Sequence, residues 1–395
     1  MGRNDFYANL KVDKSLVDKY EFNPYYCSIE SGLNDPIIID GKEFINLASN
    51  NYLGLAADKR VIEAITLATQ KYGASMCGTP IATGSMVILK RLEQRLSDYV
   101  GLEESIIFPS GYQANCALFM SLAQPDDLII IDHYAHASLI QGVRLAGCKV
   151  KPFLHNNMNH LKKLLEKTSE YKRVLVVTES VFSTEGSIAP FDEIVKLCLE
   201  YDALPVIDDS HGIGVIGRSG RGILEEENIE DFNGIYTASL GKALANAGGF
   251  ISGKKELIEY LKYSCPGLIY STALPPPVLA GIEAVLDIID KEFPSLSEKM
   301  WKYKHMISEC LIDNDFTLTG GKAPINSILI RELEDCARLA KMIHGNCILA
   351  TPFIPPSVPP NENKIRLIAG ANLSQDTIVK ALEKFKKIAK EFNQK

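Results

Sequence analysis

The chain has 395 residues, with 42 Lys+Arg against 49 Asp+Glu, a formal net charge of −7 and a pI near 5.6. A composition of 46% hydrophobic and 23% charged residues excludes a disordered, collagenous or disulfide-scaffold protein. The acidic balance argues against general affinity for nucleic acid or an anionic membrane. At about 150 residues per domain, two to three interwoven units are expected, since no repeat, low-complexity tract or Gly/Ser linker divides the chain.

The N-terminal residues include early acids and no apolar run, so no secretory signal is visible. Nine scattered cysteines, odd in number and without a C-x-x-C pair, point to free thiols in a reducing cytoplasm, with neither disulfides nor a metal site. Two uncharged stretches, 105–125 and 264–282, are long enough to cross a bilayer. The first holds Pro109, Gly111, Gln113, Asn115 and Gln124, and the second holds Pro266, Gly267 and Pro275-Pro276-Pro277. Breakers and amides at that density do not suit a lipid-facing helix, so no transmembrane segment is expected.

In chain order, apolar runs bounded by turn residues predict strands at 105–108, 128–132, 149–154, 174–177, 205–208, 234–237 and 249–252. Amphipathic segments at 88–100, 137–146, 161–167 and 191–201 predict intervening helices. This alternation predicts an α/β fold with a mostly parallel seven-stranded sheet covered on both faces. From about residue 280 the pattern changes to helices at 283–291 and 293–310, short strands at 327–330 and 364–368, and an amphipathic helix at 376–392 with Ser374 as N-cap. The expected organisation is an N-terminal arm (1–55) belonging partly to the small domain, a large domain (56–280) and a smaller α+β C-terminal domain (281–395).

Open parallel sheets place ligands beyond the carboxyl ends of their strands. Here those ends carry Ser110-Gly111-Tyr112, the 132–136 segment with His136, the 179–183 segment with Ser183, Asp208-Asp209-Ser210-His211, and Ser239-Leu240-Gly241-Lys242. The run Gly212–Gly217 matches G-x-G-x-x-G but continues into loop residues and opens no helix, so it does not read as a dinucleotide site. Lys242 lies among small residues at a strand end, where desolvation lowers an amine's pKa as a Schiff-base lysine requires; the alternative is a surface-loop lysine. Asp208 follows the apolar 204–207 run, and a buried acid there needs a cation such as a protonated pyridine nitrogen. The pair suggests a pyridoxal 5′-phosphate (PLP) enzyme.

Eight segments in order carry a specific resemblance. They are 49–55, 110–115, His136-Ala137-Ser138, 179–183, 208–211, 239–242, 271–276 and Ile365-Arg366-Leu367. The chain resembles the α-oxoamine synthases, fold-type I PLP-dependent transferases that condense an amino acid with an acyl-thioester and release CO2. The resemblance runs from about Phe44 to the C-terminal helix. It implies that Lys242 carries the cofactor and acts as the base at the substrate Cα, that Asp208 meets the pyridine nitrogen, and that His211, with Ser183, meets the phenolic oxygen. His136 would stack on the ring. Ser110, Gly111, Tyr112 and Ser239 would hold the phosphate, and Ser271 and Thr272 would reach the phosphate of a partner subunit in a homodimer with a shared active site. Arg366 would grip the substrate carboxylate, with Asn50 assisting.

The implied reaction joins a small amino acid (glycine, L-alanine or L-serine) to an acyl-CoA or other acyl-thioester. Two positions depart from the family pattern, Leu89 and Asn372, each where a histidine is usual. They direct attention to the acyl-donor or amino-acid site and leave the cofactor-holding core intact. The rival readings are a PLP-dependent aminotransferase or lyase of the same fold, and a catalytically silent partner subunit, which would have no need of Lys242, Asp208 and His211 together.

Overall fold

The computed structural model describes residues 7, 10 and 12–394. The chain enters through a hairpin of β1 (Ile37–Ile39) and β2 (Lys42–Asn46), closed by Asp40 and Gly41. Both turn residues have positive φ, 48° and 66°, as a two-residue turn matching strand twist requires. Then follow β3 (Glu104–Phe108), β4 (Leu128–Asp132), β5 (Lys149–Phe153), β6 (Val174–Glu179), β7 (Leu204–Asp208), β8 (Ile235–Ser239) and β9 (Gly249–Gly253).

These seven strands form one sheet in the order β3-β9-β8-β7-β6-β4-β5. β4 to β8 pair in parallel, and β9 alone runs against its neighbours β3 and β8. The loop 240–248 between β8 and β9 is too short for a crossover helix, so β9 must return antiparallel. Alternate residues enter opposite layers. Ile129, Ile131, Val177 and Val206 pack against Leu118 and Phe119 of the helix Gly111–Leu122 and Leu139 of the helix Ala137–Leu145. Ile130, Val176 and Ile207 face Leu161, Ile194 and Leu279 on the other side. Each such fully buried side chain contributes about 1.5–3 kcal/mol. All seven sequence-predicted strands are present, with ends displaced by at most two residues.

The expected break between helices at 283–291 and 293–310 is absent. One helix, Pro276–Ile312, runs through Pro294. Proline removes one backbone bond, but the helix buries Leu286 and Ile289 in the large core and Tyr303, Ile307 and Leu311 in a second core. Packing at both ends overrides the local breaker. The helix also passes through residue 280, where the sequence suggested a change of domain.

That second core lies beneath β10 (Asn326–Ile330), β12 (Thr351–Phe353) and β13 (Asn363–Leu367), an antiparallel sheet in the order β10-β13-β12. β11 (Ile348–Leu349) joins the N-terminal hairpin by pairing in parallel with β2. Further bonds from Ile368 N–H to Leu47 O (2.8 Å) and from Ala371 N–H to Tyr52 O (2.9 Å) hold the segment 47–52 beside β13. The final helix, Gln375–Asn393, starts as predicted at Ser374, whose hydroxyl accepts the Thr377 N–H at 3.1 Å. Among the described residues no helix is long and apolar enough to cross a membrane. The two uncharged stretches form instead β3 with its following helix, and a short helix (Pro266–Ile269) leading into the long one.

Candidate active site

Lys242 sits in the loop 240–248, between the fully buried Leu240 and the buried Ala243 and Leu244. The Leu240 N–H donates to Gly248 O at 2.9 Å and the Ala245 N–H to Lys242 O, so the loop is pinned at both sides of the lysine. Burial drives the amine down from 10.5 to about 8, against the opposing pull of Asp208 and Glu179; Arg366 lowers it further. Lys242 is in no ion pair among the described residues, and its charge is balanced only at a distance.

Asp208, at the end of β7, is buried. One oxygen accepts from Asn115 Nδ2 at 2.7 Å and the other from the Ser210 N–H at 3.0 Å. Asn115 also donates to Ser138 Oγ (2.9 Å) and accepts from Thr237 Oγ1 (2.8 Å), so its amide orientation is fixed from three sides. His136 caps the next helix. Its backbone N–H donates to Glu179 Oε1 at 2.6 Å, and its Nδ1 accepts the Ser138 N–H at 3.2 Å. With Nδ1 an acceptor, the neutral imidazole carries its proton on Nε2. Burial keeps it neutral, holding its pKa below the usual value, with Lys242 adding to the effect and Asp208 opposing it.

His211 is buried, with Nδ1 2.8 Å from the Tyr52 hydroxyl. Burial first, then the cations Lys242 and Arg366, hold its pKa well below normal. Glu179 pairs with Asp208 across β6 and β7, and burial together with that neighbour raises its pKa well above the carboxylate range.

The helix Gly111–Leu122 points its N-terminus at this cluster. Ser110 caps it, accepting the Gln113 N–H at 3.1 Å, so the Ser110 hydroxyl serves the helix while the first amides remain for an anion. A Cβ on Gly111 would meet Ser239 Cβ at 3.1 Å, and one on Gly249 would meet Gly111 Cα at 2.4 Å. Only glycine lets the helix end and the strand approach this closely. Ser239 Oγ accepts the Gly241 N–H at 3.2 Å and keeps its own proton to donate. The Tyr112 side chain turns outward to Gln141 Oε1 (2.6 Å) and stands edge-on to His136.

Arg366 arrives from β13. It is buried, yet its Nε has no hydrogen-bond partner, and among the described residues its side chain makes one bond, from Nη1 to the Ser183 carbonyl at 3.4 Å. Its guanidinium lies over the Phe353 ring at 5.0 Å. Beside this strand, Asn50 has a buried Oδ1 without a partner. No carboxylate pairs with Arg366 among the described residues, and a buried guanidinium left so is costly unless an anionic ligand meets it.

Lys242, Asp208, His136, His211 and Arg366 thus come together, with Ser183 at the arginine and Ser110, Gly111 and Ser239 at the helix end. Ser271 and Thr272 do not join them within this chain; Thr272 is exposed. Sequence reasoning gave no role to Tyr52, Asn115, Ser138, Glu179 or Ser210, which supply the hydrogen bonds around the cluster. Each lies in a motif singled out above. Asn115, four residues after Gly111 on the same helix face, was open to detection by spacing, whereas nothing local marks Tyr52 as a partner of His211.

Of the two departures, Leu89 is buried in the large core. Asn372 packs its backbone against Gly54, where a Cβ would come within 2.3 Å, and donates to Leu33 O at 3.4 Å. Both positions serve packing.

A buried acid without a cation, a desolvated lysine, two neutral histidines and a glycine-lined helix end fit the ring nitrogen, aldehyde, ring face and phosphate of PLP. Fold and site define a fold-type I PLP-dependent enzyme. The sequence pattern of the aminotransferase class I and II family matches residues 42–385. The chain is 35% identical to a serine palmitoyltransferase of Sphingobacterium spiritivorum, over 93% of this chain and 92% of that one. It is 33% identical to an 8-amino-7-oxononanoate synthase of Bacillus velezensis, over 96% and 97%. The solved Sphingomonas wittichii serine palmitoyltransferase superposes with a TM-score of 0.92 at 26% identity, covering 96% of both chains. A structure of SPT with its PLP internal aldimine gives the same score at 25% identity, with the same coverage. The chain belongs to the α-oxoamine synthases and is a PLP-dependent acyltransferase.

The depressed amine makes one property measurable. Schiff-base formation needs the neutral amine, so the rate at which cofactor-free protein takes up PLP should rise with pH, reach half its maximum near pH 8 and level off above it. A rate that keeps climbing toward pH 10 would show an ordinary, solvated lysine.

Proposed function

We propose that this chain performs the decarboxylative condensation of glycine, L-alanine or L-serine with an acyl-CoA or related acyl-thioester, giving an α-amino ketone. The observation that carries the amino-acid half is Arg366, a buried guanidinium with an unpartnered Nε and no acid beside it. Its planar fork suits a carboxylate. Asn50, in the 47–52 segment held beside β13 and with its buried oxygen unpartnered, assists Arg366.

PLP, when bound, supplies a conjugated ring that accepts the electron pair freed at the substrate Cα. Lys242 would hold the cofactor and, once free, would take the Cα proton on Nζ; a pKa near 8 leaves a usable fraction of free base near neutrality. Asp208, oriented by Asn115 and Ser210, holds a proton at the ring nitrogen. His211, braced by Tyr52, would meet the phenolic oxygen together with Ser183, and His136, with Nε2–H available as a donor, would stack on the ring. The amides of Gly111 and Tyr112, with Ser239, bind the phosphate. Once the substrate Cα had bonded to the acyl carbon and the C–S bond had broken to release the thiol, the carboxylate held by Arg366 would leave as CO2 and Lys242 would return its proton to Cα.

Ser271 and Thr272 serve the second site of a homodimer on this reading, which accounts for the exposure of Thr272 within one chain. Nine free cysteines suit a reducing cytoplasm.

Released CoA and CO2, assayed for the three amino acids crossed with acyl-CoAs of increasing length, test the reaction; a keto-acid product without CoA release would indicate an aminotransferase instead. Arg366→Ala should raise the amino-acid KM about ten- to hundredfold, the loss of a charge-assisted hydrogen-bond pair, with the PLP absorbance unchanged. An unaltered KM removes Arg366 from the site. Asp208→Ala should slow deuterium exchange at the substrate Cα at least about a hundredfold, and normal exchange would contradict its role at the ring nitrogen.

A further inference from the structure

Lys364 is 1% exposed, among the least accessible side chains of the protein, and no step above uses it. A lysine sealed from water is tolerated only where acids and aromatic faces replace its hydration. Here Nζ pairs with Glu185 Oε1, lies 3.4 Å from Glu362 Oε2, and sits 5.8 Å over the Tyr134 ring. Tyr134 itself donates its hydroxyl to Glu362 Oε2 at 2.9 Å. Its ring stacks on His155 at 4.7 Å and 22°. His155 in turn bonds Asp132 (3.2 Å) and Ser187 Oγ (2.9 Å).

Three segments meet at this one ammonium. The turn closed by the Val181–Ile188 bridge brings Glu185, two residues after Ser183. The loop after β4 brings Tyr134, two residues before His136. β13 brings Lys364 itself, two residues before Arg366. In a strand, residues i and i+2 share a face, so Lys364 and Arg366 project together toward the turn. They grip it at two points, Glu185 through the lysine and the Ser183 carbonyl (3.4 Å) through the arginine. Arg366 has no other hydrogen bond among the described residues to fix its direction. The Ser183 contact alone is long and weak.

We propose that Lys364 is the positioning residue for Arg366: its pairing with Glu185 locks β13 onto the 181–188 turn and so sets where the guanidinium stands relative to the site at the ends of β6 and β7. The inference rests on the reading of Arg366 as the carboxylate-binding residue. Lys364 touches neither substrate nor cofactor, and its effect falls only on ligands that need the arginine.

Removing the lysine alone leaves the half-buried Glu185 and Glu362 without their cation, so the test uses Lys364→Met/Glu185→Met, which replaces the pair by apolar groups of similar length, beside Glu185→Gln. The holoenzyme is titrated with glycine, L-alanine and L-serine and with the amide of each, following the cofactor absorbance; thermal unfolding is recorded in parallel. Misplacement by about 1 Å is enough to cost tenfold or more. The double variant should bind the amino acids about tenfold more weakly and the amides as the unaltered protein does, with unfolding temperature and PLP absorbance preserved. Glu185→Gln should show the same selective loss, smaller in size. Equal weakening of acids and amides, or no change in either, overturns the clamp. Arg366→Ala separates the two layers. If it abolishes discrimination between acid and amide while the double variant keeps it, the clamp alone falls. If it leaves discrimination intact, the reading of Arg366 falls and the clamp with it.

Discussion

The structure depends on charge held out of water at the carboxyl ends of parallel strands. Asp208 and Glu179 end neighbouring strands in register, and Lys242 and Arg366 approach them from two other elements without forming a direct ion pair. Isolated, each of these groups is costly to bury. Burial is the main cause of their displaced pKa values: the lysine falls toward neutrality against the pull of the acids, Glu179 rises, and both histidines stay uncharged. A site poised in this way can hold a proton on one group and take one on another near neutral pH.

The fold supplies the scaffold for that arrangement. Every member on the large sheet stands at a strand end or in the first turn after it, because parallel strands deliver their carboxyl ends to one edge. The exceptional strand is informative. β9 runs antiparallel since the loop before it is short, and the shortness of that loop holds Lys242 against the sheet. Arg366 comes from the other sheet, and the contacts between the 47–52 segment and β13 bring Asn50 and Tyr52 with it. The site therefore spans two cores, and the continuous helix Pro276–Ile312, packed into both, ties them together.

Much of this was legible in the residues. The seven strands of the large sheet follow from apolar runs between turn signals, and Lys242, Asp208, His136 and His211 stand out as titratable groups where such strands end. The helix through Pro294 was not legible, because a local breaker is visible in sequence while two distant cores that outweigh it are not. The hydrogen-bonded surroundings were hidden for a related reason. Tyr52 meets His211 from 159 positions away, and Lys364 meets Glu185 from 179 away, so no spacing rule connects them. Leu89 and Asn372, conspicuous as departures from a family pattern, take part in packing here, Leu89 in the large core and Asn372 beside Gly54 and Leu33.

The central claim is that Lys242, its amine lowered by burial, is the residue that carries PLP. Reduction of the holoenzyme with borohydride, followed by digestion and mass spectrometry, tests it most directly. The account predicts one pyridoxyl group per chain, on the peptide containing Lys242. A label on any other lysine, or PLP lost without trace after reduction, would contradict it.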